Sequence, residues 1–333
     1  MILTVCTRAQ LVGALALGAS VRQQHPDQRF IIGLADDPSG VSGTEPHPVL
    51  TPDDTGLTVS QLATLSARYT PTEFCAAVKP GFVRTAFERF PDETRLLYLS
   101  PSSLVYQPLT PFFDELATHT VLLNPHWLTP PTDKLEPDEK YLQNVGLYSG
   151  GCIGFRRDAE TIRMLAWWRT RCLDHAAIDF CIGSCLDGLW LMHVPTLFAG
   201  VGILKNPGLQ VALWNLPQRQ LRQESGRWHV RSSGHETALL TADFLGLIEQ
   251  REGLFQHQNR LRLDTRPDVR ELLANYRTSL IGANPVLSGL PPAPAYGRQP
   301  EPIIRTGWRR TAHTRLTELG EWINKVQVKP LHR

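Results

Sequence analysis

The sequence predicts a doubly wound α/β fold, with a mainly parallel sheet and helices on both of its faces. Short apolar strands alternate with helical segments through the first half of the 333-residue chain. That alternation is typical of parallel sheets with crossover helices. The clearest strand is a continuous apolar run, which indicates burial on both faces. A chain of this length can also bury a sizeable core.

The first two strands are separated by a helical pattern. Residues 2–6 (ILTVC) form an apolar run that predicts the first strand. Residues 10–24 place leucine and valine at helical spacing, which predicts a helix with one buried stripe. Residues 29–36 (RFIIGLAD) predict the second strand, which ends in acid. Residues 37–58 are rich in Pro, Gly, Ser and Asp, and they predict a loop long enough to favour a role at a site.

The later elements follow from the same signals. Further strands are predicted at residues 96–99, 120–125 and 238–246. Further helices are predicted at residues 70–90, 158–172 and 268–281. Pro80-Gly81 is expected to break or kink the first of these helices, and Asp158 is expected to cap the second. Residues 146–157 (GLYSGGCIGFRR) predict a glycine-rich strand, where missing side chains let a ligand or a second backbone approach closely.

Three regions are predicted along the chain: a domain at residues 1–283, a Pro-rich linker at 284–302 and a basic amphipathic helix or tail at 303–333. From residue 301 onward there are seven Lys/Arg and three Asp/Glu, a net charge of +4, against +2 for the whole chain. Its apolar residues recur at three- and four-residue spacing. This helix could dock on its own core, on a partner protein or on an anionic membrane surface.

Composition excludes several classes of function. A hydrophobic content of 42% and a charged content of 20% are typical of a globular protein. The net charge is too small to indicate a nucleic-acid partner. No apolar run approaches the roughly 18–20 residues that cross a bilayer. No basic leader precedes the first apolar run, so no signal peptide is expected.

The six cysteines are mostly isolated within apolar runs, where a cysteine acts as a small hydrophobic residue. Cys181 and Cys185, with His175 and His193 nearby, offer a loose zinc spacing without a second pair. Reduced thiols in the core of a cytoplasmic protein are therefore favoured over a metal site.

Eight stretches in a fixed order carry a resemblance to a known family. They are HPDQRFIIGLAD, YTPTEFCAAVKP, LLYLSPSSLVYQPL, LLNPH, GLYSGGCIGFRR, LAWWRTR, LDGLW and VALWNLPQR. None is specific alone, but together, over about residues 1–282, they resemble bacterial GT-A-type nucleotide-sugar glycosyltransferases related to the glycogenin-like enzymes. The resemblance implies a GT-A-like fold (nucleotide-diphospho-sugar transferase) and a UDP-, GDP- or dTDP-sugar donor. The sugar, the acceptor and the stereochemical outcome are not identified.

The chain departs from this family where the chemistry is carried. The family's usual Tyr-Leu-Asp-Pro-Asp corner, the DxD motif, reads YLSPS here, so Ser100 and Ser102 replace two carboxylates. Ser149 replaces an Asn, and Asp243 replaces a late His. A DxD corner holds a divalent ion that neutralises the leaving diphosphate, and magnesium and manganese prefer charged oxygen ligands. No metal ligand is therefore predicted, no cofactor is firmly implied, and transfer is expected to be metal-independent.

The resemblance implies a donor-binding group at the ends of the early strands. Its candidates are Thr7, Arg8, Asp36, Lys79, Arg84, Ser100 and Ser102. A fixed cation such as Lys79 could stabilise a departing phosphate without metal, and the two serines could donate hydrogen bonds to its oxygens. A surface cation or a helix cap is the alternative for the three basic residues. Asp36 could contact the base or ribose or simply cap its loop.

The resemblance also implies a catalytic group and an acceptor- or sugar-binding group. The catalytic candidates are Asp187 and Asp243; the binding candidates are His126, Ser149, Gly150, Gly151, Trp214 and Asn215. Asp187 could be an acceptor-side base or hydroxyl-positioning group, or a helix N-cap. The glycines could instead allow a close strand crossing, and Trp214-Asn215 could be a buried corner.

Two functions compete. One is a metal-independent glycosyltransferase, cytoplasmic or held at the inner membrane face through its C-terminal helix. The other is a catalytically inactive protein of the same fold, which binds sugar nucleotides or serves as an assembly partner. Fold resemblance alone does not decide between them.

Overall fold

A computed structural model of the chain describes residues 1–39, 41, 44–248, 253–255, 257–283, 295–298, 315–316 and 319. Met1–Arg298 forms one compact unit, and the fold given below is that of this unit. Most of the predicted linker and of the predicted C-terminal helix lies outside the described residues, so both stay predictions. In the part of the chain that is described, no helix is both long and apolar enough to cross a membrane.

The strands are, in chain order, β1 (Ile2–Cys6), β2 (Phe30–Leu34), β3 (Val49–Leu50), β4 (Arg95–Leu99), β5 (Ser103–Val105), β6 (Val121–Pro125), β7 (Tyr148–Arg156), β8 (Val201–Ile203), β9 (Gln220–Glu224), β10 (Arg227–Ser232), β11 (His235–Ala238) and β12 (Thr241–Asp243). The α-helices are α1 (Leu11–Gln24), α2 (Val59–Arg68), α3 (Pro71–Arg89), α4 (Thr110–Thr118), α5 (Glu139–Val145), α6 (Ala159–His175), α7 (Val194–Leu197) and α8 (Pro267–Ala283).

The centre of the fold is a seven-stranded sheet in the order β3-β2-β1-β4-β7-β6-β8. Strand β7 runs antiparallel to both of its neighbours, β4 and β6. The other neighbouring strands pair in parallel. The predicted mainly parallel α/β sheet is therefore confirmed.

Both faces of the sheet are covered, as the apolar strands predict. On β1, Leu3 and Val5 join a buried cluster that includes residues of α3 and α6. Ile2 and Cys6, which alternate with them, join a second cluster that includes residues of α1 and α4. Because successive side chains of a strand point to opposite faces, helices pack on both sides of the sheet.

Helix α3 differs from its prediction. It runs from Pro71 to Arg89 without a break at Pro80-Gly81. Both residues are buried, and a Cβ built on Gly81 would lie 3.1 Å from the Thr55 Cβ atom. Tertiary packing therefore overrides the local preference of the Pro-Gly pair. The continuous helix holds Lys79 at its middle, among the buried residues of α3.

A third apolar cluster joins the C-terminal part of the unit. Strands β9, β10 and β11 form an antiparallel sheet that the sequence did not predict. The late strand predicted at residues 238–246 is shorter, and it pairs with β5 rather than with the central sheet. This pairing brings Asp243 opposite Ser103, beside the corner that follows β4.

Candidate active site

Polar side chains gather where the parallel strands end. Thr7 follows β1, Asp36 follows β2 and Ser100 follows β4. The carboxyl ends of parallel strands share one edge of a sheet, and open α/β sheets bind ligands there. Gly150 and Gly151 of β7 lie beside this edge, since the Gly151 carbonyl accepts a hydrogen bond from the Ser100 N–H at 2.9 Å.

The two serines of the corner both bind one carboxylate. Ser100 Oγ donates to Asp243 Oδ2 at 2.6 Å, and Ser102 Oγ donates to Asp243 Oδ1 at 2.7 Å. The Leu245 N–H donates to the same Oδ1 at 3.1 Å. These O–H···O lengths are at the short end of the usual range for hydroxyl donors. We call Ser100, Ser102 and Asp243 the serine corner.

The serine corner does not fit the divalent metal of the DxD family. Both oxygens of Asp243 already accept hydrogen bonds from protein groups, and serine hydroxyls are neutral. Magnesium and manganese prefer several charged oxygen ligands. Across the described ranges, no group of three or more His, Cys, Asp or Glu residues is placed to hold a metal ion.

A buried ion pair lies next to the serine corner. Lys79 Nζ is 2.6 Å from Asp187 Oδ2, donates to the Gly150 carbonyl at 3.0 Å, and lies 4.6 Å from the centre of the Tyr98 ring. Burial alone would lower the pKa of Lys79, but the Asp187 carboxylate and the Tyr98 hydroxyl raise it above its usual value. Lys79 is therefore protonated throughout the physiological range.

The Lys79–Asp187 pairing bears on two alternatives: that Lys79 is a surface cation, and that Asp187 is a helix N-cap. Lys79 lies inside the protein rather than on its surface. The Asp187 side chain makes no capping hydrogen bond to the 3₁₀ turn that begins after it. Its backbone carbonyl accepts a hydrogen bond from the Trp168 indole at 3.1 Å. Lys79 and Asp187 are thus each other's charged partner.

Two consecutive glycines separate the ion pair from the serine corner. A Cβ built on Gly150 would lie 3.0 Å from Asp187 Oδ2. A Cβ on Gly151 would lie 2.7 Å from Gln210 Nε2 and 3.3 Å from Asp243 Oδ2. The missing side chains therefore let polar groups approach the strand from either side.

A buried amide network that no sequence motif indicates lies beside these glycines. Gln210 Nε2 donates to Ser149 Oγ at 2.7 Å, and Asn124 Nδ2 donates to Gln210 Oε1 at 2.8 Å. Gln210 is fully buried and adopts a positive φ of 48°. No sequence signal points to it, because a positive φ is expected for glycine and not for glutamine.

The predicted sugar-binding aromatics belong to a buried aromatic group. The His126 ring meets the Trp214 ring edge to face, with centroids 5.3 Å apart, and Phe255 packs against both. Trp214 Nε1 is buried without a hydrogen-bond partner among the described residues. Asn215 Oδ1 accepts from the Ala212 N–H at 2.9 Å, so this side chain closes a buried backbone corner.

His126 makes the stability of the protein depend on pH. Its Nδ1 lies 2.9 Å from the Gly146 carbonyl, so Nδ1 carries the proton of a neutral ring. Burial lowers the pKa of His126 from 6.5 to about 4. Above pH 6.5 the His126 ring is neutral in both the folded and the unfolded chain, so it does not reduce stability. As the pH falls from 6.5 towards 4, His126 binds a proton in the unfolded chain but not in the folded one. We expect the free energy of unfolding to fall by about 3 kcal/mol over that range.

Urea denaturation at a series of pH values measures this loss. The matched control is His126→Gln, which keeps an N–H donor for the Gly146 carbonyl and removes the titrating ring. The variant should lose that part of the pH dependence. Equal slopes for the parent and the variant between pH 4 and 6.5 would contradict the assignment to His126.

Three of the remaining donor-side candidates, Asp36, Arg8 and Thr7, follow β1 or β2 at this edge of the sheet. The Asp36 carboxylate accepts the N–H groups of Arg8 at 3.1 Å and Asp37 at 2.9 Å. The Arg8 guanidinium donates to the Asp37 carbonyl at 2.8 Å and to the Ser39 carbonyl, so it holds the loop after β2. The Thr7 N–H donates to Gln10 Oε1 at 3.2 Å, at the start of the following helix.

Arg84 is not brought to this edge. It is exposed on α3 and pairs with Glu88, one turn away, at 2.7 Å.

Cys181 and Cys185 differ in exposure, the first being exposed and the second buried. Burial raises the pKa of the Cys185 thiol to about 12.

Comparison with known proteins finds distant relatives. No family model matches the chain. The chain is 26% identical over 156 residues to the uncharacterized protein YfnF of Bacillus subtilis (strain 168). The matched stretch covers 47% of this chain and 52% of YfnF. The chain is 22% identical over 184 residues to the uncharacterized protein YfnD of the same strain, which covers 54% of this chain and 56% of YfnD. The chain thus spans about half the length of these curated relatives.

Two solved structures give weak similarity. One is the galactosyltransferase LgtC in complex with donor and acceptor sugar analogs, with a TM-score of 0.43, 13% identity and coverage of 87% of this chain and 97% of that one. Another is a glycosyltransferase involved in glycosylation of the major capsid of PBCV-1, with a TM-score of 0.39, 11% identity and coverage of 64% and 85%. Scores this low do not establish a common fold.

Proposed function

We propose that this chain is a GT-A-type glycosyltransferase that takes a sugar from a nucleotide-sugar donor without a bound divalent metal. The observation that carries the proposal is the buried Lys79–Asp187 pair, which lies against the Gly150 carbonyl at the ligand-binding edge of the sheet. The ordered motifs that resemble glycosyltransferases support the same class.

The ion pair is better explained by chemistry than by stability. Removing two charges from water costs about as much as their attraction returns, so buried pairs are weak evidence for stability. Ionisable groups whose pKa is shifted by burial and by a specific charged partner are candidates for a functional site. Lys79 would hold the Asp187 carboxylate in place through Oδ2. The other oxygen, Oδ1, could then accept the proton of an acceptor hydroxyl as it attacks.

The donor diphosphate would lie at the serine corner. The Ser100 and Ser102 hydroxyls are donors that could turn from Asp243 to phosphate oxygens. Asp243 opposes this charge, and the Lys79 charge is already shared with Asp187. We therefore expect weak nucleotide binding, whether the base is uracil, guanine or thymine.

The cellular setting belongs to the same proposal. We place the protein in the cytoplasm or at the inner face of the membrane, with residues 303–333 as the docking element for a protein partner or an anionic surface. The basic, amphipathic pattern of that region supports this placement.

Calorimetry and donor hydrolysis test the proposal. Purified protein is titrated with UDP-, GDP- and dTDP-sugars in EDTA and again with manganese, and release of the nucleoside diphosphate is followed. We expect binding and slow hydrolysis in EDTA. Asp187→Asn should reduce the hydrolysis rate by at least about 100-fold, the smaller end of the range for a lost general base. Arg222→Ala, on the exposed β9 strand, is the matched control and should leave the rate unchanged.

Other outcomes have distinct meanings. Binding without turnover would identify the catalytically inactive sugar-nucleotide binder instead. Binding that requires manganese would contradict the metal-free part of the proposal. No binding of any nucleotide, with or without metal, would reject the proposed function.

A further inference from the structure

Four residues from the Pro-rich region lie on the compact unit. Residues 295–298 (AYGR), which we call the strap, contact the loop after β2 and the segments around α2 and α3. The Ala295 N–H donates to Asp36 Oδ1 at 2.7 Å, the Gly297 N–H to Ser66 Oγ at 2.9 Å, and the Arg298 N–H to the Tyr69 carbonyl at 2.8 Å. Backbone donors of the strap therefore fix it at three successive points.

Asp36 is the most informative of these contacts. It is fully buried at the carboxyl end of β2, and its carboxylate accepts three backbone N–H groups, from Arg8, Asp37 and Ala295. The first two come from the loops that form this edge of the sheet. The third comes from a residue 259 positions away. The strap thus supplies the donor that a ribose hydroxyl or a base N–H would supply to the same carboxylate.

Tyr296 provides a second, independent contact of the kind that a nucleobase makes. Its ring stacks face to face on Phe74, with centroids 4.9 Å apart and planes inclined by 6°. A flat ring over a buried aromatic side chain is also the usual arrangement of a bound base on a protein. Burial, followed by the charges of Asp53, Asp37 and Asp36, raises the pKa of Tyr296, so its hydroxyl lies in an acidic surrounding.

The conformation of the strap is specific. Gly297 has a φ of +93°, which L side chains rarely adopt. A Cβ built on it would lie 2.5 Å from the Pro71 nitrogen. The strap therefore reaches the beginning of α3 only because residue 297 is glycine.

We propose that the strap occupies the nucleoside part of the donor site, so that the donor nucleotide and the strap compete for Asp36 and Phe74. This inference rests on the proposed function and adds its regulation: the chain holds its own donor site closed until a nucleotide displaces residues 295–298. A ligand whose site is open only part of the time binds with an affinity reduced by that fraction. Freeing the strap should remove the reduction.

The test uses full-length protein with a glycine substitution. Gly297→Ala adds the clashing Cβ and should release the strap; Tyr296→Ala, which removes the stacked ring, is the second variant. Arg298→Ala is the matched control, because the Arg298 side chain is exposed and its backbone N–H is retained. Affinities for UDP, GDP and dTDP are measured by calorimetry. We expect both releasing variants to bind one nucleotide at least about tenfold more tightly than the parent and the control.

Amide hydrogen exchange provides the second readout. In the parent protein, adding the nucleotide should speed exchange at the Gly297 and Arg298 amides, which lose their partners when the strap leaves. Equal affinities in all four proteins, with unchanged exchange at those amides, would overturn the inference and leave the proposed function intact. Failure of every nucleotide to bind even the Gly297→Ala protein would reject both, since the freed site would then not be a nucleotide site.

Discussion

Replacing Lys79 with methionine is expected to lower the free energy of unfolding by about 3–5 kcal/mol. Methionine keeps much of the length of lysine, so packing changes little. The Asp187 carboxylate, however, stays buried and loses its cation at 2.6 Å. The Gly150 carbonyl loses a donor as well. Urea denaturation at neutral pH measures the loss. Nucleotide affinity, measured by calorimetry on the folded variant, should fall at least about tenfold if the ion pair forms part of the donor site.

The double variant Lys79→Met/Asp187→Leu is the control for this prediction. It removes both charges, and replacing a whole buried pair with apolar residues is often neutral. Its stability should therefore exceed that of Lys79→Met, which gives a large coupling energy in the double-mutant cycle. A cost below about 1 kcal/mol for Lys79→Met would mean that the pair is solvated like a surface ion pair.

Placing aspartate at both positions of the serine corner is expected to create a manganese site. In Ser100→Asp/Ser102→Asp, two new carboxylates meet Asp243, whose oxygens now lie 2.6 and 2.7 Å from the serine hydroxyls. Three carboxylates at such distances cannot all ionise at neutral pH, so the metal-free variant should be less stable than the parent. Manganese at a hundred times its Kd should return about 2.7 kcal/mol. Thermal unfolding in EDTA and in manganese measures both effects.

The neutral analogue Ser100→Asn/Ser102→Asn is the matched control. It introduces amides of nearly the same shape without charge, so manganese should leave its melting temperature unchanged. The same response to manganese in both double variants would show that the corner does not bring the new carboxylates together. The serines at positions 100 and 102 would then no longer explain why the parent is expected to work without a metal.

The central sheet could be predicted because its strands are buried on both faces. The predicted strand at residues 2–6 coincides with β1, and those at 29–36 and 96–99 overlap β2 and β4 within two residues. Such runs are continuous and apolar, so no partner information is needed to find them. Strands β9 and β10 were missed because each mixes charged residues into a half-exposed hairpin. Neither strand contains a continuous apolar run.

The candidate site was predictable in its members and not in its contacts. Lys79 and Asp187 were both selected through the family resemblance, but their pairing joins residues 108 positions apart. The serines and Asp243 were each noted as departures from the family, and only the fold brings them into one hydrogen-bonded group. Gln210 could not be selected, since its importance comes from a buried position and a positive φ.

The bonding of Asp243 to both serines limits how this chain could change by single substitutions. An aspartate at position 100 alone would set two negative charges against each other. A histidine at position 243 alone would take the carboxylate acceptor away from two half-buried hydroxyls. Each single substitution towards a metal-binding corner would therefore give a less stable protein than the present one.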